Sequence, residues 1–215
     1  MAMATSTSLP TIIFCDINAS FVEKAKEVFG DEYLGITIQY IIGDISELRY
    51  ENTVYVSPAN SRFLYRGGVD GVYAKMFNNL ETTAQIHIKR FSYSDNLRHH
   101  YCPIGSAALI SVTHNTNPVL NNYILATPTM RSAERLHNNT NIVEAVIATL
   151  RLVNKYNKDP LSIDKIQKVI IPGMGTGVGG LTVTASIDAI KSAIETFIMK
   201  PDVIDKGNTR FAWVA

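Results

Sequence analysis

Cysteine is almost missing from this sequence: only Cys15 and Cys102 occur among 215 residues. Two cysteines make no disulfide framework, and neither has a neighbour at zinc-ligand spacing, so both are expected as free, buried thiols in a reducing compartment. Net charge is nearly missing too, at +1, which removes any general attraction to nucleic acid or a membrane surface. No apolar run approaches the roughly 18 residues that a membrane span needs. The opening "MAMATSTSLP" has neither the basic n-region nor the apolar h-region of a signal peptide and reads as a polar tail over residues 1–10. His99, His100 and His137 form no metal-ligand spacing, and neither a metal nor another cofactor is expected. There is no internal repeat, low-complexity tract or linker. These absences describe a cytoplasmic protein with no nucleic-acid or membrane partner.

What is present is a core. Hydrophobic residues make up 46% and charged ones 18%, enough to bury a substantial interior in one domain over residues 11–215. "TIIFCD" (Thr11 to Asp16), "GITIQYIIGD" (Gly35 to Asp44), "NTVYVS" (Asn52 to Ser57), "SAALISV" (Ser106 to Val112), "NYILATP" (Asn122 to Pro128) and "QKVIIPG" (Gln167 to Gly173) read as strands. Helical spacing of apolar residues marks Asn18 to Phe29, with Gly30 as its stop. It also marks Val69 to Leu80, Asn141 to Tyr156 and Thr182 to Met199, and Asn141 with Glu144 reads as a capping box. Glu81 to Pro103 and the tail after Pro201 carry no clear pattern. Strands alternating with helices at short intervals define an α/β layered fold.

Two stretches carry chemistry. "GMGTGVGG" (Gly173 to Gly180) leads from a buried strand into a helix. Glycines let a ligand approach the backbone, and successive N–H groups beside a helix start make an anion site that needs no Lys or Arg. Gly175, Gly177 and Gly180 satisfy G-x-G-x-x-G, but a dinucleotide fold needs a further strand ending in an acid about 20 residues on, for which the C-terminus leaves little room. No Gly-Lys-Ser/Thr occurs, so a P-loop is excluded. The segments "IIFCDINASF" and "IIGDISEL" imitate a methyltransferase pattern, but no glycine loop precedes them. The second stretch, "SPANSRFLYRGGVDGVY" (Ser57 to Tyr73), ends a strand in Pro58 and Asn60 and passes through Gly67 and Gly68 to Asp70 in the first turn of a helix.

Together with "GDIS" (Gly43 to Ser46) and "ILATPTMR" (Ile124 to Arg131), these stretches resemble the macro domain family of ADP-ribose-binding domains, over roughly Thr11 to Lys200. The likeness is to the subgroup with Ser-Pro-Ala-Asn, Pro-Thr-Met-Arg and Pro-Gly-x-Gly-Thr-Gly-x-Gly signatures. The resemblance implies a three-layer α/β/α domain with a mixed, mostly parallel sheet and a cleft at the strand ends. It implies adenine against Asp44 and Ile45, the distal ribose near Asn60, and the diphosphate between Gly67, Gly68 and Val69 on one side and Gly173, Gly175, Thr176, Gly177, Val178 and Gly179 on the other. In relatives with Gly-Gly-Val-Asp-Gly the aspartate is catalytic, which here is Asp70 with Asn60 as its partner.

Each of these residues also has a local explanation. Asp44 can cap the turn after its strand, Asn60 can form an Asx turn, and Asp70 can favour a helix dipole; the joint spacing is what favours a ligand. An ordinary Asp, with a pKa of about 3.9, is ionised at neutral pH and orients or deprotonates a water. Several positions depart from the family. Ser57 stands where Asn is usual, so a polar contact is lost or altered. Tyr65 and Arg66 replace glycine or an acid, and Arg66 is expected either on a phosphate, on a protein substrate or in solvent. Gly179 stands where an aromatic often walls the ligand, and Leu125-Ala126-Thr127 lacks the familiar histidine. The partner implied is ADP-ribose or an ADP-ribosylated protein. Three functions stay open: an ADP-ribosyl hydrolase, a non-catalytic reader, and another phosphate-ligand site such as an ADP-ribose 1''-phosphate phosphatase.

Overall fold

The computed structural model describes residues 9–89, 100–120, 122–162, 164–200 and 211–213. The N-terminal residues 1–8, most of the unpatterned stretch before Tyr101, His99 included, and the segment 201–210 lie outside the described residues. The strands are β1 (Thr11–Asp16), β2 (Glu32–Tyr33), β3 (Ile36–Ile42), β4 (Thr53–Ser57), β5 (Ala107–Val112), β6 (Asn122–Ala126), β7 (Lys168–Ile171) and β8 (Phe211–Trp213). The helices are α1 (Ala19–Phe29), α2 (Gly68–Met76), α3 (Leu80–Ile88), α4 (Thr140–Lys158) and α5 (Val183–Met199), with a 3₁₀ turn at Ile45–Glu47. The sheet runs β2-β3-β1-β7-β4-β6-β5-β8. β3, β1, β7, β4 and β6 are mutually parallel, whereas β2 and β5 run antiparallel to their neighbours β3 and β6.

Both sheet faces are covered. Ile12, Phe14, Val54, Val56, Leu125, Val169 and Ile171 face α1, α4 and α5, while Ile13, Cys15, Tyr55, Ile124 and Ile170 face α2 and α3. Burial on both faces removes any need for polar alternation, which is why these strands read as continuous apolar runs. The architecture is therefore the expected three-layer α/β/α arrangement around a mixed, mostly parallel sheet. Cys15 and Cys102 are both buried and free. No helix among the described residues is long and apolar enough to cross a membrane.

Some local expectations are corrected. The helix expected over Val69 to Leu80 is two helices, α2 and α3, broken at Phe77–Asn79. Phe77 pairs with His114 in an isolated bridge, Asn78 N donates to Thr113 O at 3.0 Å, and Asn79 turns into the left-handed region at φ 53°. Cross-chain pairing overrides helical spacing there. The helix expected from Asn141 starts at Thr140, and its cap position is Asn139, which makes no side-chain capping bond. Asn141 instead donates from Nδ2 to Thr129 O at 2.9 Å, so the capping box with Glu144 does not form and the residue ties α4 to the loop after β6. The expected stops hold: Gly30 caps α1 at φ 61°, and Thr182 caps α5 by accepting from Ala185 N.

Candidate functional site

The carboxyl ends of β1, β7 and β4 lie side by side at one sheet edge, the usual position for a ligand crevice in a parallel sheet. A cavity of about 1000 Å³ opens there, at the upper end of small-molecule sites. All the residues singled out from sequence line it: Asp44, Ile45, Asn60, Gly67, Gly68, Val69, Asp70, Gly173, Gly175, Thr176, Gly177, Val178 and Gly179.

The glycine loop is braced from below. Gly173 N donates to Asp16 Oδ2 at 2.9 Å, and the other oxygen of Asp16 accepts from Asn18 N at 2.8 Å. Thr176 Oγ1 donates to Gly173 O, Ser186 Oγ donates to Met174 O, and Leu181 N donates to Gly175 O. Gly175 needs a φ of +75°, and a Cβ there would stand 2.9 Å from side-chain carbons of both Ile142 and Leu181. The carbonyls are thus turned inward. Among the described residues, the N–H groups of Gly177, Val178 and Gly179 donate to no backbone carbonyl. Unused amides on a concave loop are an anion site.

The facing wall is the start of α2. Its N-cap, Gly67, offers no side chain, so the N–H groups of Gly68, Val69 and Asp70 have no acceptor within the helix, and the positive end of its dipole is directed at the cleft. Asp70 sits in this first turn. One oxygen, Oδ1, accepts from Ser57 Oγ at 2.7 Å; Oδ2 has no hydrogen bond among the described residues. Burial pushes the carboxyl up to about 6, and the Ser57 hydrogen bond holds it from rising further. The ordinary value expected from sequence is corrected: desolvation in the cleft wall brings this acid close to neutral pH.

Asn60 has a double task. Its Oδ1 accepts from Arg62 N at 3.0 Å and Leu64 N at 3.5 Å, and its Nδ2 donates to Leu64 O at 3.0 Å. The Asx turn therefore forms, and one Nδ2 hydrogen is left for a ligand. Asp44 is also partly engaged: it caps the 3₁₀ turn by accepting from Ser46 N at 2.8 Å and keeps its other oxygen at the exposed end of the cleft. Cys15 lies in the cleft floor but is no nucleophile. Burial first, then the nearby Asp16 and Asp44 carboxylates, push its thiol up to about 12.

Several lining residues were not singled out from sequence. Asp16 is one; Arg62, Tyr101 and Arg131 are others. The Arg131 guanidinium lies 5.5 Å from the centre of the Tyr101 ring, a cation–π contact at the rim. Arg66 is exposed and 3.7 Å from the Glu81 carboxylate, a weak surface pair. Gly179 leaves no open gap of the expected kind. A Cβ there would meet Gly175 O at 2.6 Å and Leu136 Cδ1 at 3.0 Å, so the loop is closed against itself and Leu136 stands beside it. No group of three or more His, Cys, Asp or Glu suited to a metal ion occurs among the described residues.

A cleft made of unused amides, with aspartates at both ends, defines a binding domain for a small anionic ligand. Residues 56–190 match the Macro domain family, and the chain belongs to that family. Among curated proteins, an uncharacterized protein of Aquifex aeolicus is 28% identical over 169 residues, 79% of this chain and 86% of that protein. Among solved structures, the macrodomain of Mycobacterium tuberculosis DarG superposes with a TM-score of 0.52 at 18% identity, covering 80% of this chain and 94% of that one. A mutant macrodomain of Oceanobacillus iheyensis with ADPR superposes with a TM-score of 0.50 at 20% identity, covering 80% and 82%. These structural likenesses show the fold.

Proposed function

We propose that the chain binds ADP-ribose and hydrolyses ADP-ribosyl linkages on modified substrates. The diphosphate lies between the amides at Gly68–Asp70 and those at Gly177–Gly179, adenine lies toward Asp44, and the distal ribose lies toward Asn60 and Asp70. Family membership supports the ligand, as does the printed ADPR of one structural relative. The observation that carries the reaction is Asp70: a carboxylate on the cleft wall with one oxygen held by Ser57, the other without a hydrogen bond, and a pKa raised to about 6 by burial. Such a group is ionised at neutral pH yet basic enough to take a proton from a positioned water, an effect worth roughly 10²–10⁴-fold. Asp44 accepts from the adenine amine, and the remaining Nδ2 hydrogen of Asn60 fixes a ribose hydroxyl.

Calorimetric titration with ADP-ribose, paired with incubation of a mono-ADP-ribosylated protein, tests this reading. Binding together with release of free ADP-ribose, the release lost in Asp70→Ala at similar affinity, is the expected result. Binding without release favours the second reading, a non-catalytic reader, for which the loop-bound Asn60 side chain is the specific support. No preference of ADP-ribose over ADP would overturn both.

A further inference from the structure

Beneath Asp70 lies a polar atom that the proposed reaction does not use. Tyr65 is 4% exposed, and its buried hydroxyl makes no direct hydrogen bond among the described residues. A buried hydroxyl without a partner is costly, so such a group is expected to serve some purpose. The loop that carries it is held firmly. Tyr65 N donates to Glu81 Oε2 at 3.1 Å, Asn60 Nδ2 clasps Leu64 O, and Gln85 Nε2 donates to Arg62 O at 2.6 Å. That anchoring puts the phenol beside Ser57 and Asp70, with Cys102 and Glu81 also near.

The chemistry of the neighbours decides where the phenol proton points. Burial keeps Tyr65 protonated by raising it above its ordinary range, so it is a donor. Ser57 is fully buried and gives its single hydrogen to Asp70 Oδ1, so its oxygen has only lone pairs left to offer. The other candidates are occupied. Glu81 Oε2 takes the Tyr65 backbone N–H, Cys102 Sγ points to Pro103 O, and the neighbouring Tyr73 hydroxyl donates to Val56 O at 3.1 Å. We propose that Tyr65 is a positioning residue that acts through Ser57: its hydroxyl donates to Ser57 Oγ, fixes the rotation of that hydroxyl, and keeps Ser57 bonded to Asp70 Oδ1 so that Oδ2 alone meets substrate.

The order of donation, Tyr65 to Ser57 to Asp70, strengthens the last bond because a hydroxyl that accepts becomes a better donor. It therefore favours ionised Asp70. Of the groups around the array, Tyr73 on α2 and Cys102 are kept neutral by burial, and Glu81 on α3 is the other carboxylate. The inference rests on Asp70 as the reacting carboxylate, but its test does not require turnover. In uniformly ¹³C-labelled protein, the Asp70 carboxyl signal, assigned by its loss in Asp70→Asn, is followed against pH in wild type, Tyr65→Phe, Ser57→Ala and the double variant. Tyr65→Phe removes one oxygen and no carbon, and thermal unfolding checks that each variant is folded.

The expected result is an upward shift of the Asp70 midpoint by ~0.5 pH unit in Tyr65→Phe. Ser57→Ala shifts it at least as far, and Tyr65→Phe adds nothing in the Ser57→Ala background. If turnover is present, the acid limb of its pH profile moves by the same amount while affinity for ADP-ribose stays unchanged. An unmoved Asp70 midpoint in Tyr65→Phe, or shifts that add in the double variant, would overturn the inference. A protein that releases no ADP-ribose but shows the coupled titration would refute the proposed hydrolysis and leave the Tyr65 array standing.

Discussion

The two ends of the cleft carry one aspartate each, and their surroundings differ in a way that sets their chemistry. Asp44 stands on a 3₁₀ turn in solvent, with one oxygen on Ser46 N. Water around it stabilises the charged form, which suits a fixed acceptor for an amine on a ligand. Asp70 has one oxygen on Ser57 Oγ, but it lies in the wall beneath the start of α2, where desolvation brings its pKa up to about 6. The same side chain thus serves recognition at one end and proton transfer at the other. The difference comes from burial, since each carboxylate is engaged by a single local donor.

The largest expected effect tests the reactive end. Asp70→Ala is expected to cut turnover by roughly 10²–10⁴-fold with little change in the affinity for ADP-ribose; an equal loss of both would make Asp70 a binding group like Asp44. Gly179→Ala comes next, because the new methyl would meet Gly175 O, a backbone atom that has no room to yield. Loop displacement of this sort costs on the order of 1–3 kcal/mol, so affinity should fall about 10- to 100-fold by calorimetry. Wild-type affinity in this variant would mean that the glycine loop is not the phosphate cradle. Asp44→Ala is expected to weaken binding about 10-fold while leaving the single-turnover rate of bound substrate intact. A fall in that rate would erase the division between the two ends.

Stability gives a quieter reading of the same contrast. A folded-state pKa raised from 3.8 to about 6 means that the folded protein holds this proton more tightly than the unfolded chain. Stability therefore drops as pH rises through this window, and the cost is fully present above about pH 6. Asp70→Asn keeps an acceptor for Ser57 and removes the buried charge, so it should stabilise the protein by on the order of 1–3 kcal/mol at neutral pH and by almost nothing below about pH 4. Denaturant titrations at the two pH values measure this, and a pH-independent difference would contradict the desolvation account. The smallest effect belongs to the rim: Arg66→Ala breaks only an exposed pair with Glu81 and should change stability by less than about 0.5 kcal/mol.

The features legible in the sequence were those set by local patterning. Strands buried on both faces appeared as apolar runs, Gly30 and Thr182 marked helix ends, and the two glycine-bearing loops marked the cleft walls. What was not legible depended on partners distant in sequence. Asp16 braces Gly173 across 157 positions of chain, a pairing that exists only because β1 lies beside β7. The break between α2 and α3 follows from Phe77 and Asn78 pairing with the segment at Thr113–His114. Ser57 looked like the loss of a family contact, whereas its hydroxyl is the clasp on Asp70. That role, like the raised pKa of Asp70, is a property of burial, which residue spacing does not report.

The measurement that tests the central claim most directly is release of ADP-ribose from a mono-ADP-ribosylated protein by wild type and Asp70→Asn, followed across about pH 5 to 8. The account predicts release by the wild type that falls away as pH drops through about 6, and no release by Asp70→Asn at any pH despite retained binding. Equal release by the two proteins, or a wild-type rate indifferent to pH in this range, would contradict it.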